Sequence, residues 1–297
     1  MTQKINPLVS VVLGSYNRRP FLKSTIKSIR ASKVDFIYEI IVVDGGSSDG
    51  SPQWLVKQKD VLTILQHNRG TWKGKPVERM SWGYFMNLGF KCAKGKYILM
   101  ISDDCLIHPE AMAEGVDLFE RRLSEGTKLG AVPFYWRNWP DNKRYFVIAI
   151  KNQVYLNHGM YLKDALREVN YINEDDYSFY CADIDLSLRP VKAGYGIEAC
   201  EKSVVEHYNH ANFRIRKSNK KMHKQDKRRF EINWAEFLEG QKPIDLSSLI
   251  ESDLVPSDDL AKDNFGYYYY WYRLKRCWVI PLLDLYYSLR NYRMSNS

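Results

Sequence analysis

Lys94–His108, KGKYILMISDDCLIH, is the stretch on which the reading of the chain turns. A basic, Gly-containing turn feeds an apolar run from Tyr97 to Ile101, which stops at Ser102, Asp103 and Asp104. Five residues that are aromatic, β-branched or large and apolar predict a buried strand. A strand this short, ending on two acids, leaves them at the rim of a sheet. Ligands of open α/β sheets bind outside the carboxyl ends of the strands, so a divalent cation and a phosphorylated ligand are expected here. Two adjacent ionised carboxylates repel each other, and a bound cation removes that cost. Taken alone, the stretch also reads as an acidic turn with no ligand.

Working towards the N-terminus, Leu8 to Leu13 (LVSVVL) predicts a fully buried first strand, closed by the turn Gly14-Ser15-Tyr16-Asn17. Pro20 then opens a helical pattern in which Phe21, Leu22, Ile26 and Ile29 recur at three and four residues. Ile40 to Val43 is a second strand ending at Asp44 and the turn GGSSDG. A short helix begins at Trp54, and Val61 to Leu65 is a third strand. A loop then turns helical around Trp82, Phe85 and Cys92 and delivers the chain to the organising strand. Strands and helices alternating at this spacing predict a doubly wound α/β half. After the acids, Pro109 opens a helix carrying Met112, Val116 and Phe119, and the first half ends near Gly126.

The second half is less regular. Leu129 to Trp136 precedes an aromatic-rich segment with Trp139, Tyr145 and Phe146. Asn157-His158-Gly159-Met160 leads to a helix through Leu162, Ala165 and Leu166. Asp183 and Asp185 sit in the first turn of a further helix that runs to Arg189, where acids favour the macrodipole. From Arg214 to Arg229, nine Lys/Arg face one acid, Asp226, which predicts a solvated, mobile segment.

The chain has 297 residues, enough for a full α/β core with an appended element, and a formal charge of +9. That excess favours phosphorylated or membrane-surface partners. Five scattered Cys without a CxxC pair argue against a structural zinc site and a disulfide-built fold, and fit a reducing cytoplasmic setting. No apolar run approaches the roughly 18 residues of a spanning helix. A nucleic-acid module is disfavoured, because no RNP-like aromatic pair, zinc spacing or helix-turn-helix pattern is present.

In order along residues 8–207, these motifs resemble the family 2 inverting glycosyltransferases of GT-A fold. In that fold a Rossmann-like nucleotide-binding half merges with an acceptor-binding half. The resemblance implies that Ser15 and Tyr16 line the base pocket and that Asp44 hydrogen-bonds the base. The Asn87–Gly89 segment would pack beneath the sugar diphosphate, Asp103 would contact the donor, and Asp104 would hold the cation, Mn2+ or Mg2+. Asp44 also reads as the cap of its own turn. The resemblance further implies a general base in the stretch ADIDLSLR. Its first acid is replaced by Ala182, Asp183 falls on the base position with Asp185 as rival, and Arg189 follows in register on the donor side. His207 matches a histidine that joins the metal or diphosphate, with His210 as rival, and the basic run matches a segment that closes over the donor.

Trp136 and Asp185 are candidates for the acceptor side, although aromatics such as Trp136 more often serve packing. The resemblance implies that the turn Asn157-His158-Gly159, with His158 as the candidate residue, and Asp175-Asp176 line that side as well. The expected division is residues 1–126 for the nucleotide-sugar half, 127–235 for the acceptor and base half, and 236–297 for a C-terminal extension. The expected partners are a UDP-, GDP- or dTDP-sugar and a glycan or lipid-linked acceptor, and no nucleic acid. A catalytically silent nucleotide- or sugar-binding protein, or a scaffold of the same fold, is the alternative.

The tail, GYYYYWYRLKRCWVIPLLDLYYSLRNYR from Gly266 to Arg293, places Leu274, Trp278, Leu282, Leu285 and Leu289 on one helical side with Arg residues elsewhere. That pattern suits an interfacial helix on an anionic membrane, and equally docking onto protein. A cytoplasmic protein, peripheral on the cytoplasmic face of a membrane through this tail, is the expectation.

Overall fold

A computed structural model describes residues 6–150, 153–208, 213–237, 248–274 and 277, with side chains from 222 onward in the helix that begins at Phe213. The chain divides after Pro256 into two compact units.

The first unit starts with β1 (Val9–Ser15), α1 (Arg19–Arg30), β2 (Tyr38–Asp44), α2 (Ser51–Leu55) and β3 (Val61–Leu65). Every Val, Leu and Ile of β1 and β2 is buried, as strands covered on both faces require. α1 has Pro in its first turn and buries Phe21, Leu22, Ile26 and Ile29, one stripe at helical spacing. A hairpin, β4 (Thr71–Trp72) and β5 (Lys75–Pro76), precedes α3 (Trp82–Cys92), whose N-terminus is capped by Ser81 Oγ accepting from the Tyr84 amide at 3.1 Å. α3 lies tight on the sheet because residue 89 is Gly: a Cβ there would sit 2.5 Å from Val12 Cγ1. β6 (Tyr97–Met100), β7 (Cys105–Ile107) and α4 (Ala111–Ser124) complete this half.

The second half comprises β8 (Leu129–Asn138), β9 (Phe146–Ile150), β10 (Gln153–Tyr155), β11 (Gly159–Leu162), α5 (Lys163–Glu168) and α6 (Ala182–Lys192). After them come β12 (Gly196–Ile197), β13 (Cys200–His207), α7 (Phe213–Asn233) and β14 (Ser248–Glu251). The main sheet runs β10-β9-β8-β11-β6-β1-β2-β3. β1 pairs in parallel with both β2 and β6, so the chain winds outward in opposite directions from β1 and leaves a crevice at the carboxyl ends of β1 and β6. β11 lies antiparallel between β6 and β8 and joins the two halves into one sheet. β13 pairs with β7 and β8.

Three sequence expectations change. The segment expected to lead directly into a helix forms β11 first, because Gly159, at φ +143°, carries the chain within reach of the Val132 carbonyl, where a Cβ would stand 2.4 Å away. The three-residue β7 was not foreseen; partners distant in sequence create it. The basic run expected to be a mobile segment is α7, anchored by buried Phe230, Trp234 and Asp226. Asp226 accepts the backbone amides of Ser178, Phe179 and Tyr180 at 2.8–2.9 Å.

In the second unit, α8 (Asp259–Leu274) exposes Tyr267, Tyr270, Trp271 and Leu274, a single face at three- and four-residue spacing. Among the described residues no helix is long and apolar enough to cross a membrane. His210, Trp278, Leu282, Leu285 and Leu289 lie outside the described residues.

Candidate functional site

The crevice at the switch point collects the ends of the parallel strands. Ser15 ends β1, Asp44 ends β2, and Asp103 and Asp104 follow β6, all four buried. Burying two adjacent carboxylates requires a counter-charge, and Arg18, at the start of α1, supplies it. One guanidinium nitrogen lies 2.8 Å from Asp103 Oδ1 and 2.8 Å from Asp104 Oδ2. A single cation against two acids leaves one negative charge uncompensated. The remaining oxygens, Asp103 Oδ2 and Asp104 Oδ1, are buried without a hydrogen-bond partner, as is Ser15 Oγ. Burial pushes Asp103 up to about 6 against the pull of Arg18. It acts on Asp104 in the same sense, but Arg18 and His207 hold that carboxyl well below the usual range.

β13 delivers His207 to this corner. Its Nδ1–H donates to Asn138 Oδ1 at 2.8 Å, which turns Nε2 towards Asp104 Oδ1, 3.4 Å away. An orphaned carboxylate oxygen facing an imidazole nitrogen whose other nitrogen is tied back suits a divalent cation, and Mn2+ or Mg2+ fits this donor pair. His158 and Cys105 lie behind it. Their ligand atoms and that of His207 all fall within 4.8 Å of one another. Burial pushes His158 down to about 3 and keeps the Cys105 thiol well above its usual range.

The opposite wall is basic. The cavity at the strand ends is lined by Ser15, Tyr16, Arg18, Arg69, Arg79 and Asp103, among others. Arg69 lies over the Tyr16 ring, 5.5 Å from its centroid. Burial, then the neighbouring Arg79, lowers Arg69 to about 10, and burial lowers Arg79 as well. Guanidinium groups held in that environment are stabilised by an arriving anion.

Asp44 spends Oδ1 on its own turn, accepting from the Gly46 and Ser47 amides at 2.9 and 2.7 Å, while Oδ2 is buried without a partner. Burial raises its pKa despite those amides. The neighbouring Gly45 lines the cavity. Asp183, in the first turn of α6, accepts from Asn157 Nδ2 at 3.0 Å, and Asn157 itself lines the cavity. Burial raises the Asp183 carboxyl above its ordinary range, with Asn157 opposing.

Five candidates have structural partners. Asp185 is buried and accepts from Trp234 Nε1 at 3.0 Å, Tyr177 Oη at 3.3 Å and Arg189 Nε at 2.7 Å. Arg189 also donates to the carbonyls of Val169 and Tyr171, so its guanidinium is engaged by protein. Asn87 donates to the Ile172 carbonyl and Glu174, and accepts from the Ile172 amide, tying α3 to a loop. Trp136 is buried against Phe146 and stands edge-on to His158 and His207, with centroids 5.5 and 5.7 Å away, so it supports the histidines and offers no face to a sugar. His158 is likewise a buried neighbour of His207, not an exposed acceptor contact.

Sequence reasoning passed over Arg18, Arg69, Arg79 and Cys105 as site residues, whereas it placed the turn that carries Asn157 on the acceptor side. Isolated basic residues in loops carry no spacing signal. The only available hint was the Arg pair directly after the first strand's turn. Replacing Arg18 with Met should destabilise the metal-free protein by about 3–5 kcal/mol, the scale of a buried ion pair stripped of one partner. Urea unfolding in the presence of a chelator measures it, and a loss under about 1 kcal/mol would class the contact with solvent-screened surface pairs.

Comparison with known proteins bears on the whole arrangement. EpsH of Bacillus subtilis strain 168 is 30% identical over 104 residues, covering 35% of this chain and 28% of EpsH. Glycosyltransferase GlyG of Streptococcus pneumoniae serotype 4 is 26% identical over 149 residues, covering 49% and 45%. The chain therefore spans less than half the length of either relative. A mannosyltransferase from Pyrobaculum calidifontis, solved with GDP-Man and Mn2+, superposes with a TM-score of 0.54 at 17% identity, covering 88% of this chain and 70% of that one. This likeness speaks for the fold, a Rossmann-like core with a C-terminal helical region. Residues 10–185, more than half of the chain, match the family described as Glycosyl transferase family 2, and the chain belongs to that family.

Proposed function

We propose that the protein transfers a sugar, with inversion, from a nucleoside-diphosphate sugar to a hydroxyl of a glycan or lipid-linked acceptor, and that it does so with a divalent cation. The observation that carries this reading is the pairing of opposite walls in one crevice. Buried acids with orphaned oxygens face a wall of half-buried arginines, as a metal-bound diphosphate requires. Residues 1–126 then hold the donor, with Ser15, Tyr16 and Asp44 towards the base, and residues 127–235 supply the acceptor side and the base.

Asp104 and His207 would hold the cation. A bound Mn2+ or Mg2+ neutralises charge that develops on the leaving diphosphate. Arg69 and Arg79 add fixed positive charge to the same phosphates. Their burial makes that charge count for more than it would in water. Asp183 takes the proton of the acceptor hydroxyl. Its raised pKa makes it a better base than an exposed aspartate, and Asn157 orients one of its oxygens. Phe179 lines the cavity and helps exclude water from the reacting carbon.

Calorimetry with UDP and GDP, with and without Mn2+, tests the donor site, and a screen of UDP-, GDP- and dTDP-sugars tests transfer. Nucleotide binding that needs the cation and disappears in Asp104→Asn is the expected result. Asp183→Asn should bind nucleotide normally and turn over roughly 10²-fold or more slowly. Because the base acts deprotonated, kcat/KM should rise with pH along a limb above the ordinary aspartate range, and the variant should lack that limb. Full turnover in Asp183→Asn would exclude it as the base.

We further infer that the second unit rests on an anionic membrane. In support, α8 exposes Tyr267, Tyr270, Trp271 and Leu274 on one face, aromatic residues suit the boundary between water and hydrocarbon, and Arg273, Lys275 and Arg276 follow in sequence. Each basic residue near such a surface adds about 1 kcal/mol, so binding should weaken with salt. The full chain should float with anionic vesicles at low salt, and Trp271→Asp should reduce the floating fraction. Absence of the full chain from the floating fraction would end this proposal.

A further inference from the structure

The corner behind Asp104 holds more ligands than a donor cation needs. Cys105, His158 and His207 offer one sulfur and two imidazole nitrogens within 4.8 Å of one another, and Asp104 Oδ1 stands 3.4 Å from His207 Nε2. We propose that these four side chains form a second, thiolate-containing metal site for Zn2+, overlapping the donor cation's site and excluding it. The exclusion rests on the donor reading given above; the site itself does not.

The donor set carries the argument. Zn2+ takes four ligands at about 2.0–2.3 Å, which places neighbouring donor atoms about 3.3–3.7 Å apart. Cys105 Sγ already lies 3.7 and 3.9 Å from the two ring nitrogens of His158, close to that spacing. Among the described residues that thiol is the one hydrogen-bonding contact of the buried His158 ring, so the imidazole is left with a weak partner in the absence of a metal. His207 is already turned for ligation, because Asn138 takes its Nδ1–H and leaves Nε2 on the inner side. The edge of Trp136 against both imidazoles supplies a dry, apolar backing.

Charge gives a second argument. Asp103 and Asp104 against Arg18 leave one net negative charge when both acids are ionised. Zn2+ entering with release of the thiol proton to solvent makes the cluster neutral. Mg2+ and Mn2+ prefer oxygen and have no use for a thiolate, whereas Zn2+ favours sulfur and imidazole. Asp104 and His207 cannot serve two ions at once, so zinc would leave the diphosphate without its cation.

Cobalt reports on the site directly. The full-length protein, stripped of metal and titrated with Co2+, should develop thiolate-to-cobalt charge-transfer absorption with the intense visible bands of a four-coordinate ion, and Zn2+ should displace them. Cys105→Ser should abolish the charge-transfer band, and Cys200→Ser, which alters a different buried cysteine, should keep it. Should Cys105→Ser fail to fold, His158→Asn is the second variant; it should lower zinc affinity at least about tenfold in competition with a chromophoric chelator. Zn2+ should suppress Mn2+-dependent UDP or GDP binding in the wild type and lose that effect in Cys105→Ser. A wild-type protein without the charge-transfer band, or a Cys105→Ser variant with the band at full strength, overturns the site. A protein with the band but no Mn2+-dependent nucleotide binding refutes the donor reading and leaves the zinc site standing.

Discussion

Two carboxylates buried side by side at the end of β6 constrain everything around them. Taking even one unpaired charge out of water is costly, and adjacent like charges add repulsion. The protein meets half of that cost with Arg18, which α1 brings to the crevice directly after the turn that closes β1. The other half is left open as orphaned oxygens. The parallel pairing of β1 with β6 is therefore more than a scaffold, because it brings the cation and the acids to the same sheet edge in register.

The parallel half was largely legible in the sequence. Buried parallel strands are written as runs of Val, Ile and Leu, and the acids and glycines that end them mark the sheet edge. Val61–Leu65 was found to the residue, and β1, β2 and β6 to within two residues. The antiparallel half was not so legible. β7 and β11 are three and four residues long and owe their existence to partners elsewhere in the chain, which no local pattern encodes. The same distinction runs through the site. Asp103, Asp104 and His207 stood out by position, whereas Arg18 matters only because folding places it beside both acids.

Residues with conspicuous chemistry were also the ones most readily over-read. Asp185 and Arg189 sit four apart on α6 and neutralise each other while fastening Trp234, Tyr177 and a loop. A motif read from sequence does not distinguish a carboxylate that meets a ligand from one that holds the frame. On a helix, a spacing of two puts one on each side, and here Asp183 meets Asn157, which lines the cavity, while Asp185 meets Trp234 and Tyr177 in the interior.

Asp226 has a wider consequence. As the lone acid of the basic run from Arg214 to Arg229, it grips three consecutive amides of the loop that carries Phe179. Helix and loop consequently share one opening free energy: neither can detach without stranding either a buried carboxylate or three amide donors. The wall of the cavity and the basic helix thus breathe as a single cooperative unit, and whatever occupies the crevice also sets how tightly that helix is held.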